Sequence, residues 1–164
     1  MKQDGSMIVI EDAKIVLRNF AGKEGMYNRE GDRNFKVLLD EETARTLSND
    51  GWLVKQFKQR EEGEPPQSFI QVSVGFNYSP PRIVMLTSRG HTNLSENEVE
   101  VLDWVDIKTI DLIIRPYNWS VSGNSGIKAY LKSLFVTIEE DYLELKYADE
   151  LSLPARGGRV EGDD

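Results

Sequence analysis

Residues 113–132 read IIRPYNWSVSGNSGIKAYLK, and this stretch decides the fold. Large aromatic and cationic side chains occupy every second position on each side of SGNS, residues 122–125. Because residues two apart on a strand share a face, each half is predicted to be a strand and the pair a hairpin. With a four-residue loop, the expected register places Trp119 opposite Lys128, Tyr117 opposite Tyr130 and Arg115 opposite Lys132.

This register places all six side chains on one surface of the hairpin. A slip of one residue would separate the two rows onto opposite faces, so the inference depends on the turn. On the reverse face, Ile127, Ala129 and Leu131 have the spacing of core residues. The apolar phase changes at Ser133, which predicts either a bulge there or a strand that passes from one covered face to another.

Strand patterns also dominate the rest of the chain. Apolar residues alternate with polar ones, or form short β-branched runs, in most segments between turn signals. The predicted strands cover residues 7–10, 13–20, 34–39, 53–57, 69–76, 82–87, 108–121 and 127–138.

Two short helices are predicted. Asp40 is the expected N-cap of the first, which ends near Gly51. Ser95 and Glu98 have the spacing of a capping box for the second, over residues 95–102. Many strands with one or two short helices favour a mainly β domain, an OB-fold-like Greek-key β-barrel with extra hairpins.

The composition fits one domain. The chain has 164 residues and is 39% hydrophobic, which is enough for a core without staples. We expect one domain over residues 1–149 and a mobile acidic tail over 150–164, where the apolar pattern is lost. No apolar run approaches the roughly 20 residues of a membrane span and no signal peptide is evident, so we expect a soluble intracellular protein.

The charge is unevenly distributed. The net charge of −8 argues at first against a nucleic-acid partner. Residues 140–164 hold eight acidic and three basic residues, a balance of −5, and the first 139 residues hold 20 and 17, a balance of −3. A nearly balanced body can still gather its basic side chains on one face.

A surface that carries rings between cations suits single-stranded nucleic acid. Bases of any identity stack on Tyr and Trp for about 1–3 kcal/mol each, while Lys and Arg neutralise the phosphates. The alternative is ordinary packing of the aromatic rings, with the charged neighbours extending into water.

The glycine-rich loop AGKEGMYNREGDRNF, residues 21–35, is a second candidate, because glycine allows close approach of a ligand to the backbone. It matches neither a Walker loop nor a dinucleotide fingerprint. The alternative is a mobile β-loop whose charges keep it soluble. The candidate nucleic-acid-binding residues of loop and hairpin are Tyr27, Arg29, Arg33, Arg115, Tyr117, Trp119, Lys128, Tyr130 and Lys132.

The sequence indicates no catalytic or cofactor site. There is no cysteine, and the single His91 makes a zinc centre improbable. The acidic run 139–141 is a candidate Mg²⁺ site and, with it, a metal-dependent nuclease is an alternative function. A solvated strand end is the more ordinary interpretation. We therefore expect a protein without catalytic activity, cofactor or bound metal.

The chain resembles the single-stranded DNA-binding proteins of bacteriophages. The segments RNFAGKEGMYNREGDRNF, RPYNW and GIKAYLK and the acidic tail carry the resemblance, which spans mainly residues 13–39 and 107–149. It implies an OB fold, coating of exposed strands without cleavage, location in the host cytoplasm and an acidic carboxyl end for contacts with other proteins. The tail here is short and lacks the terminal Phe that some members use.

The leading hypothesis is therefore a non-catalytic, sequence-independent single-stranded DNA-binding protein of phage DNA replication, recombination or repair. Replication or recombination proteins are further candidate partners through the acidic tail, and the sequence leaves open whether the chain forms a homodimer. The main alternative is a structural or protein-interaction β-module that assembles through its aromatic hairpin.

Overall fold

A computed structural model describes residues 1–4, 7–141, 143, 146 and 147. The predicted tail, residues 150–164, lies outside the described residues. The described residues form ten strands, one α-helix, α1 (Glu41–Asn49), and one 3₁₀ helix (Val99–Asp103). The strands are β1 (Lys2–Asp4), β2 (Met7–Ile10), β3 (Ile15–Asn19), β4 (Arg33–Leu39), β5 (Val54–Gln56), β6 (Ser68–Val74), β7 (Arg82–Thr87), β8 (Gly90–Asn93), β9 (Ile107–Val121) and β10 (Asn124–Ile138).

All ten strands belong to one mixed sheet. Its main path runs β1-β2-β9-β10-β6-β4-β3, with β5 beside β6 and the β7–β8 hairpin beside β10. Pairing is antiparallel except where β10 runs parallel to β6 and to β7. The mainly β, OB-like fold predicted from the sequence is confirmed, with the difference that the sheet is not closed into a barrel.

The connection from β2 to β3 is hydrogen-bonded to both β9 and β4. The Ala13 N–H donates to the Ile110 carbonyl of β9 at 2.8 Å, and the Lys14 carbonyl accepts from the Leu38 N–H of β4 at 2.9 Å. These two bonds satisfy backbone groups that would otherwise face the core unpaired. The connection thus joins β9 to β4, two strands that are not neighbours in the sheet.

The β9–β10 hairpin has a tighter turn than the sequence predicted. Ser122 and Gly123 form a two-residue loop with φ of 52° and 84°, which matches a type I′ turn. The predicted four-residue loop is therefore wrong, and every partner shifts by two positions. Trp119 lies opposite Gly126, Tyr117 opposite Lys128, and Arg115 opposite Tyr130. Because a shift of two preserves the face, both rows still share one surface.

The predicted change of phase on β10 is confirmed as a bulge. The register with β9 shifts between Leu131 and Ser133, so Lys132 is the extra residue. On its other edge β10 pairs with β6 at Ala129 and Tyr130, and with β7 from Ser133 onward. The bulge thus lies where the strand exchanges one neighbour for another.

The core lies against the inner face of the sheet. Alternate residues of the central strands are buried there, and α1 adds Ala44 and Leu47. The predicted N-cap is confirmed, because the Asp40 carboxylate accepts the Thr43 N–H at 2.7 Å. The largest fully buried side chains are Phe20, Phe35, Ile8, Leu47, Ile70, Ile83, Leu102, Ile110, Leu112, Ile114, Leu131 and Leu134.

The second predicted helix is shorter than expected. The Glu98 carboxylate accepts the N–H of Ser95 at 3.0 Å, which is one half of the predicted capping box. The other half is absent, because the Ser95 hydroxyl donates to the same carboxylate at 2.8 Å and the Glu98 N–H bonds to the Ser95 backbone carbonyl. The helix that follows is only the five-residue 3₁₀ segment. Two short strands, β1 and β8, were not predicted at all. Within the described part of the chain, no helix is long and apolar enough to cross a membrane.

Candidate nucleic-acid interface

One large groove opens on the outer face of the sheet, beside the β9–β10 hairpin. Its volume is about 570 Å³. The glycine-rich loop and the start of β4 form one wall, the end of β6 and the following loop form the floor, and β9 and β10 form the other wall. The lining residues are Tyr27, Asn28, Gly31, Asp32, Arg33, Asn34, Gln71, Ser73, Val74, Gly75, Phe76, Asn77, Tyr78, Ser79, Glu96, Arg115, Lys128 and Tyr130.

Tyr130 is the centre of the hairpin wall. The Arg115 guanidinium lies 5.1 Å and the Lys128 ammonium 5.3 Å from the centre of its ring, both within cation–π range. The Tyr117 ring meets it edge-on with centroids 5.7 Å apart. A Cβ at Gly75 would lie 3.6 Å from the Tyr130 ring, so the floor comes close to the ring. The arrangement places an aromatic plane between two cations.

Two further tyrosines stand at the rim of the groove. Tyr27 of the loop is 96% exposed and Tyr78, after β6, is 97% exposed. Neither ring packs against another ring within the described residues. Their faces are therefore free to stack on a planar ligand.

Asparagines organise the glycine-rich loop. Asn28 donates from its side-chain amide to the carbonyls of Lys23, Arg29 and Asp32 at 2.8–3.0 Å. Its amide oxygen accepts from the Asn34 amide at 2.8 Å, which links the loop to β4. These bonds replace a regular ladder and hold the loop as one wall of the groove.

Glycine is needed in this loop at Gly22. Its φ is +70°, and a Cβ there would approach the Gly31 backbone to 3.0 Å. The Gly31 N–H also donates to the Gly22 carbonyl at 2.7 Å. The two ends of the loop can therefore meet only because this position lacks a side chain.

Arg33 lies deep in the groove beside an acidic side chain. Its Nη1 lies 3.2 Å from the Glu96 carboxylate, and its guanidinium lies 5.5 Å from the centre of the Phe76 ring. The Nε atoms of Arg33 and Arg115 are both buried and have no hydrogen-bond partner within the described structure. The groove thus holds three cations and two carboxylates, with one carboxylate already committed to Arg33.

The groove brings together five of the nine predicted residues: Tyr27, Arg33, Arg115, Lys128 and Tyr130. Tyr117 is 52% exposed and contacts Tyr130 from outside. The other three, Trp119, Arg29 and Lys132, do not line it.

Trp119 lies nearer the hairpin tip. A Cβ at Gly126 would lie only 3.1 Å from its Cζ2, so the indole packs closely across this glycine. It borders a separate recess together with Asp50 and Gly51. Arg29 is exposed on the loop, and the Lys132 ammonium lies 3.4 Å from the Met7 sulfur.

Three residues that reach the groove from distant segments were not predicted from the sequence as part of the site: Phe76, Tyr78 and Glu96. The predicted strand 69–76 included Phe76 and the predicted helix 95–102 included Glu96, but β6 ends at Val74 and Glu96 lies in a turn before the 3₁₀ helix. Tyr78 lies in a loop without periodic pattern. The paired prolines at 80–81 marked a turn but did not indicate that Tyr78 would line the same groove as Tyr27.

The acidic run 139–141 has structural contacts. The Glu140 carboxylate accepts the Ser88 N–H at 2.8 Å and its hydroxyl at 3.1 Å, which joins the end of β10 to the β7–β8 turn. Across the described part of the chain, no three acidic or histidine side chains come together as a metal-binding group.

Comparison with protein families identifies the family to which the chain belongs. The sequence profile described as "Putative phage ssDNA-binding domain" matches residues 2–163, nearly the whole chain. The chain belongs to this family. This membership confirms the resemblance to phage single-stranded DNA-binding proteins that was based on the sequence.

Solved structures with a similar fold include two of a phage protein. The single-stranded DNA-binding protein from bacteriophage Enc34, in a C-terminally truncated form, is 13% identical, with a TM-score of 0.51 over 83% of this chain and 87% of that one. The Enc34 protein in complex with ssDNA gives 13% identity and a TM-score of 0.50 over 83% and 88% of the two chains. At such identities the similarity shows a shared fold. Comparison with curated protein sequences gave no match.

Proposed function

We propose that this member of the phage ssDNA-binding-domain family binds single-stranded DNA without sequence preference and without catalysis, in the groove beside the β9–β10 hairpin. Bases stack on Tyr130, Tyr27 and Tyr117, and phosphates lie against Arg33, Arg115 and Lys128. Arg29, Lys132 and Trp119 contact only a strand that extends beyond the groove. The Enc34 relative, whose structure includes ssDNA, supports the choice of ligand.

One observation carries the proposal: the cluster at Tyr130. A ring with cations 5.1 Å and 5.3 Å from its centre offers a base a stacking surface and its flanking phosphates two charges. A duplex keeps its base faces stacked inside, so this cluster favours the single strand. The open, rim-exposed tyrosines allow bases of any identity, because stacking requires only a planar face.

The interactions proposed for the groove account for binding of DNA and not for its cleavage. Stacking and phosphate neutralisation require no proton transfer and no metal. The proposed role is therefore to coat exposed strands during phage DNA replication, recombination or repair in the host cytoplasm. Contacts with replication or recombination proteins through the acidic carboxyl end form a further part of the proposal.

Fluorescence anisotropy with labelled oligo-dT tests the proposal. The wild-type protein should bind oligo-dT far more tightly than a duplex of equal length. Tyr130→Leu should weaken binding by about 1–3 kcal/mol, or about 5- to 150-fold, because it removes one stacking face. Trp104→Leu is the matched control, since Trp104 is 68% exposed but lies outside the groove.

Two outcomes would contradict the proposal. A folded Tyr130→Leu variant with wild-type affinity would remove the cluster from the site, and equal affinity for duplex would remove the single-strand preference. Incubation of the oligomer with protein and Mg²⁺ checks the absence of cleavage, because shortened products would identify a nuclease. Assembly of the protein without retention of DNA would favour the interaction-module alternative.

A further inference from the structure

A second set of cations lies on the outer face of the sheet, next to the groove. Gln71 of β6 is at its centre. On one side the sheet register pairs Gln71 with Lys36 of β4. On the other side β10 runs parallel to β6, with Ala129 opposite Val72, so that Lys128 comes level with Gln71.

Lys55 completes the set from strand β5. It pairs with Phe69, which is two residues from Gln71 and shares its face. Lys55, Gln71 and Lys128 line one small cleft of about 60 Å³. We call Lys36, Lys55 and Lys128, with Gln71 between them, the lysine platform.

The lysine platform is continuous with the groove. Gln71 and Lys128 line both the groove and the small cleft. Adjacent strands lie about 4.8 Å apart, so Lys128 and Lys36, which are two strands apart, have Cα atoms separated by about 10 Å. A polymer that leaves the groove beside Tyr130 therefore meets Lys128 and then Lys36 as it crosses β6.

The charges of the platform are not balanced by acidic partners. Within residues 7–141, neither Lys36 nor Lys55 forms an ion pair. Burial, and then the neighbouring Lys55 ammonium, hold the pKa of Lys36 below its usual value. The Lys36 ammonium also lies 5.6 Å from the centre of the Phe69 ring, which keeps it on this face. A polyanion would relieve the repulsion between the two ammonium groups.

We propose that a single DNA strand continues from the groove across β6 and β4 over the lysine platform, with its phosphates on Lys55 and Lys36. This inference rests on the proposed function and adds a second stretch of contact to the site. Phe69, the aromatic residue beside the platform lysines, is buried and stacks on Phe57 with centroids 4.3 Å apart. The contact is therefore to the backbone and acts only on strands long enough to reach it.

Binding of oligo-dT of increasing length, from about 4 to about 16 nucleotides, tests the proposal with Lys36→Gln/Lys55→Gln. The shortest oligomers that bind should show wild-type affinity. Long oligomers should lose two phosphate contacts, each worth about 0.7 in the salt slope, so the slope should become shallower by about 1.4. At about 0.15 M salt this corresponds to about 14-fold weaker binding.

Two further variants keep the result unambiguous. Lys55→Gln alone changes an exposed side chain, so the variant should fold normally. It should weaken the binding of long oligomers about fourfold. Lys14→Gln/Lys108→Gln makes the same charge change at exposed positions that line neither the groove nor the small cleft, and it should have little effect.

The outcomes separate the platform from the groove. Three results would overturn the role of the lysine platform. The platform variants could bind long oligomers with wild-type affinity, or their affinity could fall equally at every oligomer length. The control pair could also lose as much affinity as the platform variants. Binding of the wild-type protein to dT would still stand in each of these cases. Failure of the wild-type protein to bind dT of any length would instead overturn the proposed function.

Discussion

Replacement of Glu96 by Gln should strengthen binding to single-stranded DNA. The Glu96 carboxylate lies 3.2 Å from Arg33 Nη1 inside the groove, with side-chain exposures of 50% and 21% for Glu96 and Arg33. A phosphate that approaches this guanidinium has to displace or tolerate the carboxylate. Glutamine keeps the size of the side chain and removes its charge.

Two terms set the expected size of the gain. An ion pair at this level of exposure contributes about 0.2–1 kcal/mol, which is lost when the phosphate takes the guanidinium. A carboxylate left about 4 Å from a phosphate adds about 1 kcal/mol of repulsion in water, and salt reduces this. We therefore expect about 1 kcal/mol, or about fivefold tighter binding at low salt.

Anisotropy titrations of labelled oligo-dT at several salt concentrations measure this gain. Glu100→Gln is the control, because Glu100 is an exposed acid that makes the same charge change outside the groove. The gain should shrink as salt rises. Unchanged or weaker binding of Glu96→Gln, or an equal gain for Glu100→Gln, would refute the reasoning.

Two other substitutions test the hairpin tip and the helix cap. Trp119→Ala should weaken binding by about 1–3 kcal/mol for dT oligomers that extend past Tyr117, and leave short ones unaffected. A loss at every length would place Trp119 within the groove site. Asp40→Ala should lower the free energy of unfolding by about 1 kcal/mol, because the Thr43 N–H loses its acceptor. Hydrogen bonds from Thr43 hold the pKa of Asp40 below its usual 3.8, so this stabilisation is present above that pH and is lost as the pH falls through the lowered pKa. Thermal melts of both proteins across the acid range should therefore converge, and a gap that persists at low pH would contradict the assignment.

The strands and the first helix were predictable because local pattern determines them. Period-two alternation is visible in β6, where Ile70 and Val72 are buried and Gln71 is exposed. Asp40 precedes a first turn with two glutamates, which is a direct capping signal. By contrast, β8 is exposed at all four positions, so burial imposes no alternation on it.

The hairpin register was harder to predict because it depends on backbone angles. Ser122 adopts a positive φ, which Gly, Asn and Asp adopt more readily than Ser. The sequence therefore predicted a loop of four residues. The prediction that both rows of side chains share one surface was still correct, because the register error was an even number of residues. The predicted pairing of Trp119 with Lys128 was wrong, since Trp119 lies opposite Gly126.

The walls of the groove depend on tertiary structure. Arg33 and Glu96 are 63 residues apart in sequence and meet only through the fold. Tyr78 follows β6 in a loop with no periodicity, so nothing local distinguishes it from other exposed aromatic residues. The hairpin wall, which consists of two adjacent strands, was the part of the site that sequence spacing could define.

The attachment of the hairpin to the rest of the sheet has a consequence for motion. Ile127 makes two backbone hydrogen bonds of 3.0 Å, accepting from the Leu53 N–H and donating to the Gly51 carbonyl, just after α1. Local opening of this attachment would release the hairpin tip and the end of the helix together. Amide hydrogen exchange at Leu53 and Ile127 should therefore slow in parallel when a strand occupies the site, as one cooperative unit.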